Sequence, residues 1–145
     1  MKHLQIKRQP VQNTESRRGI AVTELALLAP VLAILVVGMC EIGQAARVKT
    51  VLSEAVRLGC NTGCRVGFKN NDVTNDVQSA ITAAGFPGTS ATVTILVNGV
   101  AGEVALAVPN DKITVKVSIP TSSVSLTGKL KYMGATQHES ATMLK

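Results

Sequence analysis

The chain reads Arg17-Arg18-Gly19-Ile20-Ala21-Val22-Thr23-Glu24 just before an apolar run, residues 25–40, and these two stretches decide the fold. The run holds sixteen residues and no charge, which is short of the roughly 20 residues that a bilayer-spanning helix needs. Residues 20–46, however, form a stretch of twenty-seven residues that is charged only at Glu24 and Glu41. A helix of that length spans a bilayer with some tilt. The sequence therefore predicts a membrane-inserted helix rather than the buried helix of a soluble domain.

Glu24 is a carboxylate near the beginning of this helix, where a charge is costly unless it is paired or serves a function. One interpretation places it at the level of the lipid headgroups, where a carboxylate is tolerated. The other begins from Gly19. If the chain were cut after Gly19, the new amino terminus at Ile20 would lie near Glu24, since four residues of helix rise about 6 Å. The ammonium and the carboxylate would then compensate each other, within one subunit or between neighbours.

These residues resemble the processing signature of type IV prepilins and pseudopilins, in which a basic leader ends in glycine and a glutamate stands at mature position five. The resemblance implies that a membrane-embedded aspartic peptidase, the prepilin peptidase, cleaves between Gly19 and Ile20 on the cytoplasmic side. It also implies assembly roles for Glu24 and Pro30. The implied partners are this peptidase, other pilin or pseudopilin subunits, the pilus assembly machinery and the cytoplasmic membrane.

Within that group the chain is most similar to the TadE-like pseudopilins of the tight-adherence (Flp) pilus system. The similarity covers residues 17–47 and rests on four features: Arg17-Arg18-Gly19, Glu24-Leu25-Ala26, Pro30 six residues after the glutamate, and Gly38-x-x-Glu41-x-Gly43. Leu25 departs from the pattern, because major pilins of that system usually carry tyrosine there and many TadE-like chains carry phenylalanine. This departure indicates a minor subunit rather than the main filament protein.

Charge and composition exclude one class of partner. The formal net charge is +6; residues 1–19 hold five basic residues and one acidic residue and so carry +4 of it. A basic segment ahead of an apolar helix follows the positive-inside rule. The rest of the chain is close to neutral. Since it has three aromatic residues, Phe68, Phe86 and Tyr132, it lacks platforms for stacking bases, and we expect no nucleic-acid partner.

Two alternatives to cleavage after Gly19 remain open. A small-x-small site at Gly43-x-Ala45 would suit a secretory signal peptidase, but the segment before the apolar run is long for a signal peptide and Pro30 would break its core. The third alternative is an uncleaved signal anchor. With cleavage after Gly19, the chain divides into a basic leader (1–19), a transmembrane and assembly helix (20–46) and an extracytoplasmic pilin-like domain (47–145).

The long helix is expected to continue beyond the membrane, to about Leu58. Apolar residues recur there at helical spacing on one face, with charged and polar residues on the other. The apolar face consists of Val48, Val51, Leu52, Ala55, Val56 and Gly59. We expect this stripe to pack on the globular domain, with another subunit's helix as the alternative. Gly59, Gly63 and Gly67 are expected to mark the end of the helix.

The cysteines divide by position. Cys60 and Cys64 would face an oxidising compartment, where a disulfide can form. Side chains four apart on a regular helix have Cβ atoms about 5–6 Å apart, whereas a disulfide needs about 3.8 Å. A bridge therefore requires the helix to unwind at Gly59, and the sequence leaves bridged and free thiols open. Cys40 is expected to be a small apolar residue near the membrane edge, and no metal site is expected.

The second half of the chain predicts an α+β fold. A short helix is expected over residues 72–84, with caps at residues 70–72 and a stop at Gly85 and Pro87. Alternating patterns predict strands over residues 91–97 and 113–119. An Asn98-Gly99 turn suggests a middle strand over residues 100–107, although Gly102 and Glu103 weaken it, and a polar edge strand is expected over residues 132–142. The prediction is a long amino-terminal helix, a short helix and a small antiparallel sheet of three or four strands.

The sequence contains no catalytic constellation that we recognise. His138 lies on a predicted edge strand with no nucleophile marked beside it. We therefore expect no enzyme activity and no cofactor. Two functions of different classes remain. One is a minor pilin or pseudopilin that acts in pilus assembly and adhesion, anchored once in a bacterial cytoplasmic membrane with its amino terminus cytoplasmic. The other is an uncleaved anchored domain, or a secreted one, that binds an extracytoplasmic ligand.

Overall fold

A computed structural model describes the backbone of residues 14–124 and 135–145, and the side chains of residues 19–124 and 135–145. Within these described residues the elements are two α-helices, α1 (Thr14–Cys64) and α2 (Asn70–Ala83), and four strands, β1 (Thr92–Val97), β2 (Val100–Ala101), β3 (Lys112–Pro120) and β4 (Thr136–Leu144). Three 3-10 turns (Gly88–Ser90, Val104–Leu106 and Thr121–Ser123) connect them. The strands form one antiparallel sheet in the order β2-β1-β3-β4. The predicted α+β class is confirmed.

Internal contacts divide the chain into two units, residues 1–38 and residues 39–145. The described part of the first unit is a single helical segment of α1. The second unit contains the rest of α1, α2 and the sheet. The predicted boundaries at residues 19 and 46 are of a different kind, because they mark a cleavage site and the end of a membrane-spanning segment. This division of the chain stays a prediction.

The second unit has one apolar core, formed where α1, α2 and the inner face of the sheet meet. On α1 the buried residues recur at helical spacing: Val48, Leu52, Ala55, Val56 and Cys60. On α2 they are Val73, Val77 and Ile81, and on β3 they are Ile113, Val115, Val117 and Ile119. Burying one such aliphatic side chain contributes about 1.5–3 kcal/mol. The stripe predicted on α1 thus packs on the chain's own domain, as expected.

The prediction that α1 ends at Gly59 is wrong, because the helix continues to Cys64. Gly59 lies where α1 passes close to α2: a Cβ placed on it would come within 2.6 Å of Val77 Cγ2. Gly63 faces Ile113 in the same way, at 3.2 Å. These glycines therefore allow close packing rather than ending the helix. The chain leaves the helical conformation before Gly67, whose φ of +88° favours glycine.

The ends of α2 follow capping chemistry. At the first turn, the Asp72 carboxylate accepts a hydrogen bond from the Lys69 backbone N–H (2.8 Å). At the last turn, Gly85 N–H donates to Thr82 O and Phe86 N–H donates to Ile81 O, with Gly85 at φ +87°. This is a Schellman motif, which requires a left-handed residue at Gly85. The helix begins at Asn70, two residues before the predicted position, and the predicted glycine stop is confirmed.

Arg47 fastens α1 to the carboxyl end of α2. Its Nη2 donates to Ala84 O (3.2 Å), and its guanidinium carbon lies 5.5 Å from the centroid of the Phe86 ring. A cation at a helix carboxyl terminus is favourable because the last carbonyls carry partial negative charge. Arg47, which the helical period assigns to the polar face, thus also helps to hold the two helices together.

Asn70 fastens the amino end of α2 to the segment that follows β2. Its Nδ2 donates to Gly102 O (2.9 Å), and its Oδ1 accepts from the backbone N–H of Val104 (3.0 Å). Its own backbone N–H donates to the Glu103 carboxylate (2.8 Å). These bonds hold Val104, which is fully buried, in the core. The predicted strand over residues 100–107 is therefore wrong beyond Ala101, because the chain turns into the core through Asn70.

The hairpin at Asn98-Gly99 is confirmed. Both residues have positive φ, +52° and +84°, and Val97 pairs with Val100 across the turn, as a two-residue type I′ hairpin requires. Asn98 also reaches the next connection, since its Nδ2 donates to Asp111 Oδ1 (2.7 Å) and its Oδ1 accepts from Lys112 N–H (2.9 Å). The Asn98 side chain therefore ties the hairpin to the beginning of β3.

The predicted last strand is present and lies at the edge of the sheet, as expected. It occupies Thr136–Leu144 instead of residues 132–142, and residues 132–134 lie outside the described part. In β3 and β4 the odd-numbered side chains face the helices and the even-numbered ones face away. His138 is therefore exposed on the outer face.

We predict that Asn70→Ala lowers the free energy of unfolding by about 1–3 kcal/mol, since it leaves the buried Val104 N–H without its acceptor. The neighbouring Asn71→Ala, at an exposed position of the same helical turn, serves as the matched control. It should change stability by no more than about 0.5 kcal/mol. Thermal unfolding of the detergent-solubilised full chain, followed by circular dichroism, would measure both. Equal midpoints for the two variants would contradict the role given to Asn70.

A second prediction concerns acid. The Asn98 amide and the Val108 backbone N–H donate hydrogen bonds to Asp111, which lowers the pKa of its carboxyl group. A depressed pKa means that ionised Asp111 contributes stability above the pKa of the unfolded chain, about 3.9. This contribution is lost as the pH falls through the lower pKa of the folded state. Asp111→Asn should therefore lower the unfolding midpoint more at pH 7 than at pH 2.5, and an equal loss at both pH values would contradict this.

Candidate functional site

The apolar segment of α1 presents its side chains outward all round the helix. Within residues 20–37, Leu27 and Ile34 are 75% and 73% exposed, and the other large aliphatic side chains are about half exposed or more. The most apolar window of α1 has a mean hydropathy of 2.6, and none of it is buried. By length and composition this helix can cross a membrane. The exposure of its side chains distinguishes this helix from the buried core helix of a soluble domain. It does not distinguish the helix from a signal sequence, which has the same apolar composition.

The predicted processing residues lie at the beginning of this segment, inside α1. A Cβ placed on Gly19 would meet no other atom within 4 Å, so packing within the described chain does not require glycine there. Ile20 and Glu24 lie four residues apart, hence on the same side of the helix, and both are exposed. The Thr23 hydroxyl donates to Ile20 O (2.7 Å). Among the described residues, none forms a hydrogen bond or an ion pair with the side-chain carboxylate of Glu24.

Pro30 lies within α1, which is helical on both sides of it. Proline has no N–H, so the carbonyl of Ala26 lacks its usual helical donor. An unpaired carbonyl in an apolar segment is a point at which the helix is more easily unwound. The assembly role predicted for Pro30 rests on this property and stays a prediction.

Gly38 and Gly43 follow the apolar segment and also have open space where a Cβ would stand. A glycine in a helix costs about 1 kcal/mol relative to alanine. Close packing explains why glycine stands at position 59. No contact within the described chain explains why glycine stands at Gly38 and Gly43. These glycines belong to the Gly38-x-x-Glu41-x-Gly43 motif on which the predicted resemblance partly rests.

Glu41 is a residue whose place the sequence reading missed. It is 3% exposed and lies in the second unit, at the amino-terminal end of the core stripe. Together with Gln44, Val48, Thr121 and Val124 it lines a cavity of about 10 Å³, roughly the size of one water molecule. Gln44 Nε2 donates to Val124 O at the same place (3.3 Å). Glu41 is therefore part of the contact between α1 and the end of the sheet, where it takes part in interactions of its own.

The signal for this placement was present in the sequence. Residues 41, 44, 45 and 48 have the spacing i, i+3, i+4, i+7, so the stripe that begins with Val48 extends back to Glu41. In the sequence, an acidic residue in an otherwise apolar run resembles an interruption of that run. It is instead the first buried position of the domain-facing side.

Cys60 and Cys64 both lie in the last two turns of α1 and are free thiols. Cys60 is buried, and its Sγ donates to Ala141 O (3.2 Å); Cys64 is partly buried, and its Sγ donates to Leu144 O (3.5 Å). Burial raises the pKa of both thiols. Because the helix remains wound at Gly59, the geometric condition for a bridge is not met. Of the two alternatives, the structure therefore corresponds to the one with free thiols. Both thiols donate hydrogen bonds to carbonyl groups of β4 and so help to hold α1 against this strand.

The comparisons with known proteins agree with the resemblance read from the sequence. The family described as TadE-like protein matches residues 19–60, which include the proposed processing site, Glu24, Pro30, Glu41 and the first part of the core stripe. No curated protein and no solved structure matches the chain.

The match covers less than half of the chain and suggests a protein associated with the Tad pilus. It implies interaction with pilus subunits or with the assembly machinery. The TadE-like resemblance is thereby confirmed.

We predict that Cys60 and Cys64 are not bridged in the native protein. The full-length protein is first extracted in the presence of iodoacetamide and is then denatured in the presence of a second, heavier alkylating reagent. Cys60 should carry the second reagent, because its buried, protonated thiol reacts only after unfolding. Cys64 should react earlier, as it is less buried. Intact mass spectrometry without reductant provides the check, and a species lacking two hydrogens and both labels would contradict the prediction.

Proposed function

We propose that this protein is a minor pilin, or pseudopilin, of a type IV pilus of the Tad (Flp) kind, which becomes competent for assembly when the prepilin peptidase cleaves after Gly19. The single observation that carries the proposal is the exposed apolar helix over residues 20–37, which bears one carboxylate, Glu24, four residues after the proposed new amino terminus. The match of the TadE-like family to residues 19–60 supports the same reading.

The physical mechanism is charge compensation in an apolar environment. Before cleavage, Glu24 has no ionic partner among the described residues. Cleavage creates an ammonium group at Ile20, about one helical turn away. When the helices of several subunits pack together, leaving either charge unpaired costs several kcal/mol, so a packing that pairs an ammonium with a carboxylate is favoured. Glu24 would thereby set the relative position of neighbouring subunits.

The orientation in the membrane follows from charge. Residues 1–19 carry +4, whereas the remainder of the chain carries +2 over more than six times the length. Basic residues beside an apolar helix stay on the cytoplasmic side. The leader is then accessible to a peptidase at the inner membrane surface, and residues 47–145 lie outside the cytoplasm. There the domain would contact other subunits and contribute to assembly and adhesion.

The mature amino terminus tests the proposal most directly. In cells that produce the pilus machinery, mass spectrometry of the purified protein should find Ile20 as the first residue. Gly19→Leu should block cleavage, because the bulky side chain replaces the residue that the peptidase recognises. Cells without the prepilin peptidase provide the control and should retain the leader. A native protein that keeps residues 1–19 in piliated cells would favour the anchored ligand-binding alternative, and a terminus at residue 46 would favour the secretory one.

Glu24 is tested separately from cleavage. Glu24→Ala should leave processing largely intact while reducing the amount of assembled pilus at least about tenfold, which corresponds to the loss of roughly 1.4 kcal/mol in an assembly step. Glu24→Gln keeps the size of the side chain and should show the same loss, because the charge is what matters. Glu54→Ala removes an exposed carboxylate from the same helix outside the apolar segment and should assemble normally. Quantified sheared pili give the measurement, and normal piliation in both Glu24 variants would contradict the mechanism.

A further inference from the structure

The inference concerns two loops at the end of the second unit where α1 terminates. The first loop, residues 65–69, joins α1 to α2, and the second, residues 98–111, runs from β1 through the short strand β2 to β3. Asn70 follows the first loop and holds the second: its Nδ2 donates to Gly102 O (2.9 Å), and its backbone N–H donates to the Glu103 carboxylate (2.8 Å). The two loops therefore lie side by side, and we call them the loop end of the domain.

The second loop is apolar although most of it lies at the surface. Residues 100–109 read VAGEVALAVP, in which Glu103 is the one charged residue. Val104 is fully buried and holds the loop on the core, whereas Leu106 is 81% exposed and Val108 is exposed as well. Packing within the domain therefore explains Val104 but does not explain the aliphatic side chains that follow it.

The first loop places an aliphatic side chain between two cations. It reads Arg65-Val66-Gly67-Phe68-Lys69. Val66 is 90% exposed, Phe68 is partly buried, and the two basic residues are exposed. Gly67, at φ +88°, turns the chain beside Val66. This loop thus presents an apolar side chain, flanked by positive charge, that the core of the domain does not use.

Exposed aliphatic side chains are concentrated at the loop end. Beyond Ile42, the large aliphatic side chains that the described part of the chain exposes are Leu58, Val66, Val100, Leu106, Val108 and Leu144. All of them except Leu58 lie at the loop end; Leu144 does so because its O accepts from Cys64 Sγ at the carboxyl end of α1. Exposed aliphatic residues that are scattered singly need no explanation, but a group of them at one end of a domain marks an interaction site.

Residues 125–134, which lie outside the described part, cannot cover the loop end. They leave from Val124, in the turn that follows β3, and return at Ala135, next to the first residue of β4. Both points adjoin Pro120, which lies about 27 Å along β3 from Lys112 at the loop end. A ten-residue segment that leaves and returns at the same end of the sheet reaches about 20 Å at most.

The cations of the loop end are available to a partner. Among the described residues, no carboxylate forms an ion pair with Arg65, Lys69 or Lys112. The carboxylates at the same end each accept a hydrogen bond from a backbone N–H; they belong to Asp72, Glu103 and Asp111. The negative groups are thus engaged within the domain while the positive ones are free, so the loop end suits an anionic partner.

We propose that the loop end binds the surface of a lipid bilayer that carries anionic headgroups. Val66, Leu106 and Val108 enter the boundary between headgroups and acyl chains, as the apolar residues of interfacial segments do. Arg65 and Lys69 meet the phosphate groups of the lipids. This inference goes beyond the proposed role in assembly and does not depend on cleavage of the leader.

A lipid surface suits these residues better than a protein partner does. The strongest contacts of protein interfaces are usually aromatic or arginine side chains in well-packed central pockets. At the loop end the exposed apolar side chains are aliphatic, and they project from two separate loops. Fluid lipid requires no matching pocket, so each loop can insert its own side chains independently. Basic residues beside inserted apolar ones are the usual arrangement for binding to anionic lipids.

Flotation of the full chain with lipid vesicles tests the proposal. The protein is reconstituted in nanodiscs of phosphatidylcholine, so that its apolar helix is already in lipid. The discs are mixed with vesicles of phosphatidylcholine alone or of phosphatidylcholine with phosphatidylglycerol. We expect at least about tenfold more protein to float with the anionic vesicles, since several basic residues are attracted to their surface. Added salt should weaken this binding, because it screens the attraction.

Leu106→Ala and Leu58→Ala form a matched pair, because both shorten an exposed leucine and only Leu106 lies at the loop end. Leu106→Ala should lower binding to the anionic vesicles at least about fivefold, since fewer apolar carbon atoms leave water. Leu58→Ala should bind like the unsubstituted protein. Arg65→Gln should also lower binding about fivefold, through the loss of one charge. All three positions are exposed, and equal unfolding midpoints by circular dichroism verify that the variants are folded.

Each other result overturns the proposal. Equal flotation with the two kinds of vesicle, or flotation with neither, removes anionic lipid as the occupant. Equal binding of the two leucine variants means that lipid is bound elsewhere, as the basic residues 1–19 would do. Discs that associate with one another without vesicles show that a second copy covers the loop end, and binding only to vesicles that contain membrane proteins shows a protein partner. The mature amino terminus decides the proposed function separately, so a loop end that binds no lipid leaves that proposal intact.

Discussion

The packing of one face of α1 on α2 and β3 is the interaction on which the globular unit depends. The buried stripe runs from Glu41 through Val48, Leu52 and Val56 to Cys60. It covers the apolar inner face of a sheet that has no other layer among the described elements except α2. Without this stripe, the inner face of β3 would be exposed to water, and a four-stranded sheet of this size would have no core.

The close fit of α1 explains residues that would otherwise be anomalous in a helix. Gly59 and Gly63 lower helix propensity, yet both face core side chains: a Cβ at Gly59 would collide with Val77, and a Cβ at Gly63 would fit only tightly against Ile113. Polar contacts then fix the register of the packing: Thr62 Oγ1 donates to the Asp76 carboxylate (2.6 Å), and Arg47 reaches the carboxyl end of α2. Apolar burial supplies most of the stabilisation, whereas these directional bonds select one arrangement of the two helices.

The same helix carries two different surfaces. Apart from Thr23 and Glu24, residues 20–37 are apolar all round the helix, as is typical of a helix in lipid or among other apolar helices. From Glu41 onward it is amphipathic and buries one face in its own domain. The apolar surface and the domain-facing surface therefore lie on separate parts of the same helix.

The sequence by itself determined the features that depend on local chemistry. The apolar run, the amphipathic period of α1, the Asn98-Gly99 turn and the glycine stop of α2 follow from hydropathy, helical spacing and allowed backbone angles, which neighbours in the chain decide. The TadE-like resemblance likewise required nothing beyond the residues near Gly19 and Glu41. Tertiary structure alone decided that α1 continues to Cys64, that Val104 turns into the core through Asn70, and that Glu41 is buried. These depend on which distant residues meet, and the free energy of such contacts overrides local preference.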